Sequence, residues 1–322
     1  MQVLSMDDKN QSRCFFAILG FAAVYLGFGF LYALDRRDTS NVLYEIFRGK
    51  VHAAAAIEGP RLLLVGGSNV LWGSRSSIVE KESGVPTFNL ALTHEAYDPK
   101  AMRALALSAV QPGDTVIYAS VSFWNSRSTD PAAAAELLQV AGLASEERSD
   151  LQALRQNLDR IWSPYPQKST IVTSLPALYR RYISHEPSEH MQGLNAKGDL
   201  ASCLTPGAVP GPNTYVDPAE QTAFLQDLQD FEDALRLRGV SLVLLFPPNL
   251  ILEEEREKWL QNFTTLFEAM KQRFTVAQET LDSSLYVDKN SFCDTGFHLA
   301  DAEAAERSRR LGQSMREKLV RP

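Results

Sequence analysis

The pattern of apolar and polar positions changes character along the chain. From Cys14 to Leu34 no residue is charged (CFFAILGFAAVYLGFGFLYAL), a run of 21 residues. As a helix at 1.5 Å per residue it would be about 31 Å long, close to the thickness of a bilayer's hydrocarbon core. Beyond residue 60 the apolar positions fall into two alternating periods. Short continuous runs predict strands buried on both faces: Arg61–Val65, Pro86–Leu92, Thr115–Val121 and Val240–Phe246, with weaker ones at Phe274–Ala277 and Ser284–Val287. Helical spacing predicts helices over Ser76–Ser83, stopped by Gly84, over Pro99–Val110 and over Glu253–Gln272, with Trp259, Phe263, Leu266, Phe267 and Met270 on one face. A further helix begins at Asp217-Pro-Ala-Glu220, with an Asp cap, Pro at the first helical position and Glu three after the cap, and runs to Arg238. Asp301–Val320 closes the chain, with Leu311, Met315 and Leu319 in one row.

Strands alternating with helices predict a parallel sheet covered on both faces, a three-layer α/β/α domain. The alternation breaks between about 122 and 216, which holds an Ala-rich helix (131–143) and Gly/Pro-rich chain, and reads as an insertion beside the site. The expected organisation is a cytoplasmic tail (1–13), a transmembrane helix (14–34), a connector (35–60) and an α/β domain (61–322). A cleaved signal peptide has a shorter apolar region and a small-x-small site, which Tyr32-Ala-Leu-Asp35 lacks. A lipoprotein cysteine follows its apolar run, whereas Cys14 precedes this one. Lys9 and Arg13 on one side balance Arg36 and Arg37 on the other. The short tail is the easier end to leave in the cytoplasm, so the domain is expected on the extracytoplasmic (periplasmic) side of the inner membrane.

Composition changes this picture only in part. Hydrophobic residues at 45% and charged residues at 22% exclude disordered, disulfide-dense and polytopic membrane classes. A formal net charge of −7 argues against a nucleic-acid partner. Cys203 and Cys293 can pair in an oxidising compartment, though spacing alone does not decide it. His185 and His190 lack the i, i+4 spacing of a zinc helix, and neither a metal nor another cofactor is expected.

The candidate chemistry gathers where strands end. The first strand runs into Gly66-Gly67-Ser68-Asn69, which delivers Ser68 to the sheet edge at a turn, where free backbone N–H groups can stabilise an anion. Far along the chain, Asp294-Thr-Gly-Phe-His298 supplies a base and an acid to orient it. Trp72, Phe123 and Trp124 follow strand ends, where aromatics stack on sugar rings or pack as core. Asn69, Asn89 and His94 are further candidates for the substrate cleft.

With these blocks the chain resembles the SGNH/GDSL hydrolase superfamily, a flavodoxin-like three-layer fold, over about 60–125 and 240–320. The resemblance implies Ser68 as nucleophile, His298 as base and Asp294 as its partner. Gly67 stands where many members carry Asp, and the Asp-to-His spacing is one residue longer than the common one. The second block, Asn89-Leu-Ala-Leu-Thr93, has no Gly, which leaves Ala91 or Thr93 beside the Ser68 amide as oxyanion-hole donors. Asn125 is the candidate for the side-chain donor of the third block. Val65–Gly73 with Phe88-Asn-Leu90 looks like membrane-anchored members that work on polysaccharides. The implied function is a serine esterase or O-acyl(acetyl)transferase on esters of a cell-envelope or secreted glycan, beside a polytopic acyltransferase or polysaccharide synthase. The alternative is a catalytically weak or inactive accessory protein of the same fold that binds glycan or docks to such a synthase or acyltransferase.

Overall fold

The computed structural model describes residues 16–17, 19–21, 44–92, 99–120, 123, 138, 141, 194–200, 211–212, 221–278 and 280–320. The chain divides into two compact units, Met1–Val42 with Ser145–His185, and Leu43–Ala144 with Glu186–Pro322. In the first unit residues 16, 17 and 19–21 are helical, and Phe16, Leu19 and Phe21 are exposed. Most of the expected span 14–34 lies outside the described residues, and no helix among those described is long and apolar enough to cross a membrane.

The second unit is an α/β fold. Its elements in order are α1 (residues 44–55), β1 (Leu62–Gly66), α2 (Ser68–Gly73), α3 (Ser76–Ser83), β2 (Thr87–Asn89), α4 (Pro99–Ala109), β3 (Thr115–Ala119), α5 (Gln221–Arg236), β4 (Ser241–Leu244), β5 (Asn249–Leu250), α6 (Arg256–Arg273), β6 (Thr275–Val276), β7 (Leu285–Tyr286) and α7 (Asp301–Val320). Five strands form one wholly parallel sheet in the order β2-β1-β3-β4-β6. The strands are continuous apolar runs because both faces are covered. Leu63, Val65, Val116, Tyr118, Leu242 and Leu244 share a core with Phe47, Leu105, Phe231, Trp259 and Phe263, from α1, α4, α5 and α6. Their alternates Leu62, Leu64, Ile117, Ala119, Val243 and Leu245 share the other core with Leu71, Trp72, Val79, Leu311 and Met315, from α2, α3 and α7. The period of two along each strand thus sorts the helices into two layers.

Three features depart from the sequence expectation. The expected connector 35–60 is helical over 44–55, and buries Phe47, Lys50 and Ala54. These sit at i, i+3 and i+7, one face of a helix, so the polar Lys50 masks an otherwise readable apolar stripe. Residues 194–200, inside the expected insertion, fold back along the edge strand, where the Asn89 N–H donates to Lys197 O at 2.9 Å. Gly198 makes this approach feasible: its φ is +80°, and a Cβ would lie 2.3 Å from Asn89 O. Finally, the weak strand at 284–287 joins no sheet of five. It pairs as β7 with β5, just beyond Pro247-Pro248, in a separate two-stranded parallel ladder.

Candidate active site

The sheet changes direction at β1, whose neighbours β2 and β3 are reached by connections running opposite ways. Such a switch point opens a crevice beyond the carboxyl ends of the two central strands. The chain leaves β1 there through Gly66 and Gly67. Gly66 has no room for a side chain, since a Cβ would lie 2.1 Å from Ala119 O at the end of β3. Gly67, at φ −88° and ψ −158°, is the N-cap of α2, and its carbonyl accepts from the Val70 and Leu71 N–H groups at 3.0 and 3.2 Å. Ser68 is therefore the first helical residue and is half-buried. Its own N–H and that of Asn69 belong to the first turn, which has no intrahelical acceptor.

The second part of the site is the loop between β7 and α7. Phe292 and Leu299 bridge across it, the Cys293 N–H donates to His298 O at 2.8 Å, and the Ala300 N–H donates to Ser291 O at 2.8 Å. This closes a small hairpin whose two arms carry Asp294 and His298. The His298 Nδ1 lies 2.7 Å from Asp294 Oδ1. With the carboxylate ionised, Nδ1 carries the proton and Nε2 is left as the acceptor, the tautomer a general base requires. His298 is 8% exposed, and Asp294 is half-buried. The loop is held to β5 by the Leu250 N–H donating to Gly296 O at 2.9 Å. Cys293 is buried and disulfide-bonded.

The two parts meet through Trp72. Its ring stacks on the His298 imidazole, with centroids 4.8 Å apart and planes at 23°. Trp72 is four residues after Ser68 on α2, so the two share a helix face one turn apart. A helical side chain leans toward the N-terminus and covers the turn before its own Cα. The ring that holds His298 thus belongs to the same short helix as Ser68.

The remaining candidates divide sharply. Asn89 is fully buried: its Nδ2 donates to Val70 O at 3.2 Å and to Asp199 Oδ1 at 3.1 Å, and its Oδ1 accepts the Ala91 N–H at 2.9 Å. It joins β2 to α2 and to residues 194–200. Both polar groups of the Ala91 backbone are engaged, the N–H by Asn89 and the carbonyl by the Lys50 ammonium at 2.7 Å. Asn69 is buried, its Nδ2 donating to Ala119 O at 3.4 Å and its Oδ1 without a partner. Trp72, also buried, faces His298. Thr93, His94, Trp124 and Asn125 lie outside the described residues, as do His185, His190 and Cys203. Among the described residues no three His, Cys, Asp or Glu side chains converge on a point.

Three polar residues near the site went unread in the sequence. Lys50 is buried on α1 and donates to Ala91 O at 2.7 Å and Gly198 O at 2.9 Å. Burial pushes its pKa down from 10.5 to about 7, against the pull of Asp199. Asp199 is fully buried, and accepts from Ser76 N and Oγ at 2.9 and 2.7 Å as well as from Asn89. Arg75, at the α2–α3 junction, donates to the carbonyls of Trp72 and Ser74 and meets Asp301. Only Lys50 left a trace, its place on the apolar face of α1; the partners of Arg75 and Asp199 are 226 and 123 residues away in the chain.

No protein-family model matches this chain, and no curated protein matches it.

Proposed function

We propose that this chain is a serine esterase or O-acyltransferase of the SGNH type. The observation that carries the reading is the Asp294–His298 pair stacked on Trp72, one helical turn from Ser68. The parallel sheet in the order β2-β1-β3-β4-β6, with Ser68 following its switch strand and His298 preceding its last helix, supports the same reading.

In the proposed reaction Ser68 Oγ attacks an acyl carbonyl while His298 Nε2 takes its proton, and Asp294 supports the imidazolium. The oxyanion forms against the first-turn N–H groups of Ser68 and Asn69. His298 then returns the proton to the leaving alcohol, and an acyl-serine remains. Water or an acceptor hydroxyl, deprotonated by His298, releases the acyl group. Esterase and transferase differ only in that acceptor. The proposed substrate is an acyl, most readily acetyl, ester of a cell-envelope or secreted polysaccharide. The proposed setting is extracytoplasmic, on an N-terminal membrane helix beside a polytopic acyltransferase or synthase. The disulfide at Cys293 supports an oxidising compartment.

One observation favours the second reading, a non-catalytic accessory protein. The Ala91 N–H, an expected oxyanion donor, is held by Asn89. Hydrolysis of p-nitrophenyl acetate by the full-length protein separates the two. The enzyme reading expects Ser68→Ala to lower kcat by about 10³-fold or more; equal rates for the two proteins would overturn it.

A further inference from the structure

We propose that Trp72 and Arg75 form a two-point clamp that holds His298 in register with Ser68, as positioning residues for the reaction. The inference rests on the serine-hydrolase reading and deepens it.

Asp294 and His298 lie on one loop, so their hydrogen bond fixes the imidazole only with respect to that loop. A shift of the whole loop would carry both away from Ser68 together. Proton transfer tolerates little of this, since placement within roughly 0.5 Å is needed for productive geometry. The Leu250–Gly296 hydrogen bond ties the loop to β5, and contacts from the serine's own side set it against Ser68.

Two contacts do so, one from the last turn of α2 and one from the α2–α3 junction. The first is the stack of Trp72 on His298, at 4.8 Å. Trp72 is only 4% exposed, so its indole is committed to protein and is not a free platform for a sugar ring. Its face also attracts the imidazolium that forms when Ser68 gives up its proton. The second contact is Arg75. Its Nη1 donates to Trp72 O at 2.7 Å and to Ser74 O at 2.9 Å, and its Nη2 meets Asp301 Oδ1 at 2.5 Å. Its backbone N–H donates to Ser308 Oγ at 2.8 Å. Asp301 opens α7, three residues beyond His298. One guanidinium thus ties the carbonyl end of the serine's helix to the chain that leaves the histidine loop, while the indole presses on the histidine itself.

Steady-state hydrolysis of p-nitrophenyl acetate by the full-length protein, together with NMR of the His298 ring in a Ser68→Ala background, tests the clamp. Trp72→Leu should lower kcat on the order of tenfold or more with KM little changed, as expected for a misplaced group. Trp72→Phe, which keeps a ring, should restore most of it. Arg75→Met should lower kcat and Arg75→Lys should recover part. The double variant Trp72→Leu/Arg75→Met should lose less than the product of the single losses, because both act on one ring. Asp301→Asn, at an exposed side chain, gives a smaller loss and keeps the test available if Trp72→Leu does not fold. In the Ser68→Ala background, Trp72→Leu should move the His298 ring signals, which the indole ring current displaces. A loss confined to KM, or unchanged kcat with unchanged ring signals, overturns the clamp. A wild-type protein with no esterase activity whose ring signals still respond to Trp72→Leu overturns the enzyme reading and leaves the placement of His298 by Trp72 standing.

Discussion

Asp294 and Lys50 are both polar groups set close to the second unit's core, and they make opposite demands. Asp294 holds the Nδ1 proton of His298 at 2.7 Å. Asp294→Asn replaces an acceptor with an amide that can stabilise the wrong tautomer, and should lower kcat by about 10³–10⁴-fold with little effect on KM; steady-state kinetics on p-nitrophenyl acetate checks this. Lys50 is held between two carbonyls, and its pKa falls from 10.5 to about 7 because burial penalises the charge. Below pH 7 both folded and unfolded chains carry that proton, and the full cost of burial is present. Between pH 7 and 10.5 the unfolded chain binds more protons than the folded one, so stability rises with pH. At 1.36 kcal/mol per unit, the stability of wild type relative to Lys50→Met should rise by about 3 kcal/mol between pH 7 and 9.5. Urea unfolding at the two pH values measures it, and a flat difference contradicts it. The Asp294–His298 contact was legible because the two residues stand four apart in one short segment. The Asn89 bond to the Ala91 N–H was not, because it depends on a side chain reaching forward two residues at the end of a strand.

At the scale of elements the helices were the most readable. Ser76–Ser83 and Asp301–Val320 are helical over the expected ranges, since their apolar spacing and flanking residues agree. Strands were readable as runs but not in their pairing: nothing in Ser284–Val287 tells that it lies beside Asn249–Leu250 and not on the main sheet. At the amino ends of the strands, opposite the site, a buried ion pair holds β1 to β3. Arg61 Nε and Nη2 donate to Asp114 at 3.0 and 2.5 Å, and Nη1 donates to Ala54 O of α1 at 2.7 Å. Asp114→Ala leaves a buried guanidinium without its carboxylate, and should cost about 3–5 kcal/mol of stability. Because the pair is remote from the crevice, kcat should stay within about twofold wherever the variant remains folded. Denaturant titration and kinetics on the same samples check both halves.

For the whole molecule, length and composition bounded the class, and the alternation of strands and helices pointed to the parallel sheet covered by helices. The long return of residues 194–200 to β2 was not readable, because it rests on Gly198 and on pairings across more than a hundred residues. The net charge of −7 and the uncharged run 14–34 bear on where the domain works. The anchored reading expects the full chain to stay with membranes after a carbonate wash, and deletion of residues 1–34 to release it; immunoblots of pellet and supernatant check this.

In the proposed reaction everything turns on Ser68 as a nucleophile activated by His298. Intact-mass spectrometry of the full-length protein after reaction with a fluorophosphonate probe tests it most directly. One adduct is expected, mapped to Ser68, absent in Ser68→Ala and slowed at least about a hundredfold in His298→Ala. No adduct on the folded wild-type protein, or labelling at an equal rate in His298→Ala, would contradict it.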